Sequence, residues 1–225
     1  MIDNSKQALY SLLLDLVSIP SVSPSAEMEN RIARFIHSRL RELPYFDERP
    51  GDLRLLPLEG DPHGRYLVFA MVRAESETAD TVILTGHMDV VGVEVCGSLA
   101  PYAFRPEEYS RRLVSAVISP DARKDLETGQ WLFGRGVADM KSGVAAGMDL
   151  FMEAASGPGK YGANVAVLFV PTRRTTPWGC SRPPPTWPVF RRKKGSTTWP
   201  VSTWSPPSPR GRRPARRFTW EVWER

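Results

Sequence analysis

Apolar residues recur along the first 171 positions in two rhythms. Leu9, Leu12, Leu13 and Leu16 are spaced i, i+3, i+4, i+7, which places them on one helical face. The spacing predicts a first amphipathic helix that stops before IPSVSPS, where Pro20 and Pro24 break the pattern. A second helix is predicted after Ser25, with Ile32, Ile36, Leu40 and Leu43 on one face, ending near Pro44. LRLLPL and RYLVFAMV read as strands, ESETAD as a polar connector, and TVILTG as a short apolar strand covered on both faces. Residues 92–130 read as a mixed, partly helical insertion. After GRGVADMKSG come a helix of small residues, VAAGMDLFMEAA, and a strand, ANVAVLFV. This alternation predicts an α/β unit, a three-layer αβα architecture around a mostly parallel mixed sheet.

Composition divides the chain after Pro171. The net charge of +5 conceals a body, residues 1–171, with 17 basic and 23 acidic residues, and a tail, 172–225, with 13 basic and 2 acidic. The tail holds six of the seven Trp and ten of the 21 Pro, but no Leu, Ile or Met, so it has no material for an ordinary core and reads as disordered. Two domains follow: a globular body and a basic Pro/Arg/Trp-rich tail. Cys96 and Cys180 provide neither a disulfide framework nor a cysteine-rich zinc pattern. Asp15 interrupts the N-terminal apolar stretch and no cationic region leads it, which argues against a signal peptide. No apolar run approaches the roughly 20 residues that span a bilayer. A cytoplasmic protein without membrane contact is the expectation; the oligomeric state is open.

Two motifs carry chemistry. In TGHMDVV, His87 lies just past the end of a strand, where α/β sheets place ligands. Asp89, two residues on, projects to the same face in extended chain and is in reach to fix the imidazole tautomer. In GRGVADMKSG, Gly134 and Gly136 permit tight turns, and Asp139 and Lys141 open a helix. Standing alone, the first motif reads equally as a surface His beside a turn Asp, and Asp139 as a helix cap. Their order, a strand, the His-x-Asp pair, a long insertion, the Gly-rich Asp-Met-Lys motif and then another apolar strand, shifts the weighing away from those readings.

With those motifs, residues 5–171 resemble the di-zinc exopeptidase family of aminoacylases, acetylornithine deacetylases and succinyl-diaminopimelate desuccinylases. The resemblance runs through LLLDLVSIPSVSP, VILTGHMDVV and WLFGRGVADMKSGVAAGM. LPYF, LPLEGDPHGR and AFRPEEYSRRL look like its arginine-utilisation branch. The resemblance implies that His87 binds one zinc, that Asp139 bridges two, and that the catalytic Asp89 orients His87. It implies a metal-dependent amide hydrolase acting on acylated amino acids or short peptides, with paired metals polarising the carbonyl and activating water.

The family's next motif, Pro-Asp-Glu-Glu or a variant, supplies the general base and a zinc ligand after a strand like VAVLFV. Here PTRRTT stands instead, with Thr172, Arg173 and Arg174 in place of the acids. Arginine neither accepts a proton from water nor binds zinc. The tail also has no Asp and no His, so the later ligands are missing. A lost base in the gene accounts for both observations. Codons CCG ACG AGG AGA ACG ACT, encoding Pro171 onward, read two bases later as D-E-E-N-D, the missing motif in its required place. The expectation is a frameshift after Pro171, a truncated and inactive hydrolase, and at most one weakly bound zinc. The alternative is a genuine tail binding single-stranded nucleic acid through its basic residues and Trp, or a partner through RPPPTWP.

Overall fold

The computed structural model describes residues 4–172 except 76, 77 and 79, together with the backbone of 199–201 and 218–220. Helix α1 (Asn4–Ser18) places Leu12 and Leu16 in the core, as its spacing predicts. Helix α2 (Ala26–Arg41) starts where Ser25 accepts a hydrogen bond from the Met28 N–H, while Glu29 accepts one from the Ser25 N–H. Such reciprocal capping satisfies donors that a helix start otherwise leaves bare. Its Ile32, Ile36 and Leu40 are fully buried. A one-turn helix, α3 (Tyr45–Glu48), which the pattern did not predict, buries Phe46 against Phe151.

Strands β1 (Leu53–Pro57), β2 (Tyr66–Val72), β3 (Thr81–His87) and β4 (Asn164–Val170) form a sheet in the order β1-β2-β4-β3. The α/β class and the mixed sheet are as expected, but the balance within the sheet differs. Only β3–β4 is parallel; β1–β2 and β2–β4 are antiparallel. The short 58–65 connection turns the chain straight back, whereas a parallel pairing needs a crossover. The long crossover from β3 to β4 contains α4 (Pro106–Leu113), α5 (Pro120–Thr128) and α6 (Ser142–Ser156), so the predicted insertion is partly helical.

Helices α1, α2 and α6 share one core with Val68, Ala70, Val72, Val165, Val167 and Phe169, alternate residues of β2 and β4. Of the three layers, the described residues thus supply the sheet and one helical layer. The expectation that TVILTG is covered on both faces is corrected: Val82 is 52% and Ile83 40% exposed. The reason is position, because β3 is the last described strand of the sheet and α6 packs on only one of its faces.

Strand β4 ends at Val170, just before the change in composition after Pro171. Beyond it, β5 (Trp199–Val201) and β6 (Phe218–Trp220) pair antiparallel. The expectation of a disordered tail otherwise lies outside the described residues, as do Arg173, Arg174 and Cys180.

Candidate metal centre

The strand carrying His87 ends at that residue, and the chain continues extended through Met88, Asp89 and Val90. Asp89 therefore reaches back to His87, with Nδ1 2.8 Å from Asp89 Oδ1 and 3.2 Å from its carbonyl oxygen. Both residues are buried. A proton on Nδ1 is donated to Asp89, which leaves Nε2 as the outward nitrogen.

Asp139 comes from the far side of the insertion. It does not open α6, whose first residue is Ser142 and whose N-cap position is Lys141. Its backbone is extended, φ −121° and ψ 96°, and the Asp139–Met140 peptide is cis. Gly136, with φ +78°, makes the turn ahead of it, and a Cβ there would lie 2.4 Å from Val90 Cγ1. Met140 packs on the end of β3, its sulfur accepting a hydrogen bond from the His87 N–H. The result brings Asp139 Oδ1 to 2.9 Å from His87 Nε2.

This contact is chemically telling. With Nδ1 donating to Asp89, neutral His87 presents a lone pair at Nε2 to a carboxylate oxygen, and two acceptors at that distance need a cation between them. A proton serves: the hydrogen bond to Asp89, with that to Asp139 and both carboxylate charges, raises the His87 pKa against the opposing pull of burial. A metal ion serves as well, since imidazole nitrogen and carboxylate oxygen are both good zinc donors. Two donors are present where a stable site takes three or four. Among the described residues, no group of three or more His, Cys, Asp and Glu is placed to hold a metal. The residues fit half of a metal site.

The sequence reading missed two contributors. Thr172 donates its hydroxyl to Asp89 Oδ2 at 2.7 Å, so the first tail residue engages the orienting carboxylate. Lys141 is fully buried, its Nζ donating to the carbonyls of Leu16 and Ile19 at 3.0 and 2.6 Å. Burial lowers its pKa to about 7, against the pull of Asp89. Composition gives no signal for Thr172. For Lys141 there was one: a lone basic residue between an acidic turn and an apolar helix has no obvious solvent face.

The mixed α/β fold, with His87 at the carboxyl end of β3 and Asp139 brought beside it, shares its architecture with a solved dipeptidase structure. Sequence relatives agree with the resemblance read from the motifs. Over 142 residues, 63% of this chain, it is 34% identical to Protein RocB of Bacillus subtilis (strain 168). Over 169 residues, 74% of the chain, it is 33% identical to the uncharacterized protein YqjN of the same organism. The chain spans only 25% and 30% of the length of these curated relatives. Human carnosine dipeptidase 1 superposes with a TM-score of 0.52 at 16% identity, over 80% of this chain and 35% of that one. No protein-family model matches.

Proposed function

We propose that this chain carries the first half of the active site of a metal-dependent amide hydrolase. The observation that carries the reading is the His87–Asp139 contact, an imidazole nitrogen 2.9 Å from a carboxylate oxygen, with Asp89 at the other ring nitrogen. Zinc is the metal that the donor types suit, held by His87 Nε2 and Asp139. When bound, such an ion supplies Lewis acidity toward a carbonyl and lowers the pKa of water. The protein's own groups orient and exclude: Asp89 holds the Nδ1 proton, and burial keeps water from competing for both. The substrate class is a small acylated amino acid or peptide, the setting the cytoplasm; no described helix is long and apolar enough to cross a membrane.

In its present form the chain is inactive on this reading. A frameshift after Pro171 replaces the acidic motif with Thr172, Arg173 and Arg174, the base and one ligand falling at Arg173 and Arg174, and removes the later ligands. Loss of a general base alone costs about 10²–10⁴-fold. The alternative, a nucleic-acid or partner-binding arm, rests on tail composition only.

The test is repair. One base inserted at codon 171 should restore the acidic pair and the downstream frame. The repaired protein should bind two zinc ions by calorimetry and hydrolyse members of an acylated amino acid panel, while the present chain binds at most one weakly and hydrolyses none. Replacing His87 with Ala in the repaired protein should lower its zinc content. Equal activity from the unrepaired chain would defeat the reading.

A further inference from the structure

The residues of the candidate site lie on two stretches, 87–90 and 136–141, separated by the whole insertion. Both are fastened to a third: the strap from Leu16 to Ser23 that leaves α1. On one side, the strap runs beside the first stretch with an isolated parallel bridge between Val22 and Val90. Ser21 Oγ donates to the Met88 carbonyl at 2.6 Å, Val90 N to the Ser21 carbonyl at 2.9 Å, and Ser23 N to the Val90 carbonyl at 3.0 Å. These bonds bracket Asp89 on both sides. On the other side, the strap meets Lys141, whose Nζ donates to Leu16 and Ile19, and whose backbone N–H donates to Gly136 at 2.9 Å.

The end of α1 needs such a partner. The last carbonyls of a helix lack intrahelical donors, and they favour a donor of positive character. The last turn of α1 carries no basic residue of its own, and Pro20 stands two residues past its end. Lys141 fills that role from a distant part of the sequence, and forms no ion pair with a described residue. Its four-carbon stem lies along Gly136, the Cδ and Cε atoms 3.5 and 3.6 Å from where a Cβ would stand. A fully buried amine whose attraction to Asp89 does not offset its burial is a costly choice unless its reach is used.

We infer that Lys141 is a positioning residue: by tying the strap 16–23 to the 136–141 turn, it sets where Asp139 stands relative to His87 and Asp89. The inference rests on reading those three residues as the site, but its test needs neither bound metal nor turnover. Lys141 touches no reacting atom. It acts through the strap, which holds the Asp89 segment on one flank and the Asp139 turn on the other.

The test compares Lys141→Met with Met148→Ala, a core substitution that removes none of the strap's hydrogen bonds, in the full chain. Amide exchange reads the strap, and the downfield Nδ1 proton of His87 in the ¹H spectrum reads the site. Lys141→Met should speed exchange at Ser23 and Val90 by about tenfold or more over the change at Val68 and Val167, as loss of a buried hydrogen-bonding group does locally. The His87 proton should broaden or shift. Met148→Ala should raise exchange across the sheet and leave the His87 signal in place. If Lys141→Met does not fold, Ser21→Ala, which severs the strap from Met88 alone, should give the same local exchange and the same His87 change. A His87 signal unmoved in the folded variant, or moved equally by Met148→Ala, overturns the inference.

Discussion

At the scale of single residues, the site depends on close backbone approach as much as on its polar groups. Gly136 is the sharpest case. Its positive φ belongs to the left-handed region, and Val90, next to Asp89, occupies the space a Cβ would need. Gly136→Ala should therefore destabilise the chain by about 1–3 kcal/mol from the backbone alone. The clash should also displace Val90 and loosen the strap. The expected result in urea unfolding is a lower midpoint with an unchanged slope; a midpoint within error of wild type would show that the turn yields freely.

At the scale of elements, α2 and the β1–β2 hairpin are locked by a buried ionic group. Arg65 donates to Glu29 at 3.2 Å and to Asp61 at 2.7 Å, all three side chains being nearly inaccessible. Asn30 adds hydrogen bonds to the Gly64 carbonyl and from the Tyr66 N–H. Removing the shared cation leaves two buried carboxylates, so Arg65→Met should cost about 3–5 kcal/mol. The two acids respond oppositely to pH. Burial pushes Asp61 up, but hydrogen bonds from the Arg65 side chain and N–H, with its charge, outweigh it and hold Asp61 below the usual range. Asp61 thus contributes stability above its ordinary value of about 3.9, lost as pH falls through the lowered folded value. Burial raises Glu29 despite Arg65, so its contribution runs the other way, fading as pH rises through its elevated value. The stability difference between wild type and Asp61→Asn should shrink as pH is lowered from about 5 to about 2. A constant difference would mean that Asp61 is not the acid-sensitive partner.

At the scale of the whole molecule, the sheet formed by the described residues ends on β3, a strand whose Val82 and Ile83 are exposed. A terminal strand with apolar side chains offers free backbone groups to other chains and invites association. Placing a charge there should improve solubility without touching the core. Val82→Lys is expected to lower concentration-dependent light scattering and leave the melting temperature nearly unchanged. Scattering that persists in this variant would place the sticky surface elsewhere.

Much was settled by local pattern. The spacing of Leu12 and Leu16, and of Ile32, Ile36 and Leu40, gave two helices their buried faces, because a helix brings those positions together wherever it packs. His87 and Asp89 were legible for the same reason: two residues apart in extended chain, they share a face without help from the fold. The contact of His87 with Asp139, 52 residues away, was suggested by the order of the motifs and by family resemblance, and the distance belongs to the tertiary structure. Strand direction was likewise beyond local reading, since β2 and β4 look alike as apolar runs and only pairing decides which neighbour each takes. That pairing also decided the role of Thr172. The parallel register sets Val170 beside His87, so the residue two further on falls beside Asp89. Lys141 follows the same logic, its partners lying more than 120 residues away at the end of α1. The sequence determined each element and the pair of groups within one strand end, because those follow from backbone period. Only the tertiary structure decided which distant groups meet, because that depends on register and crossover, which no local spacing encodes.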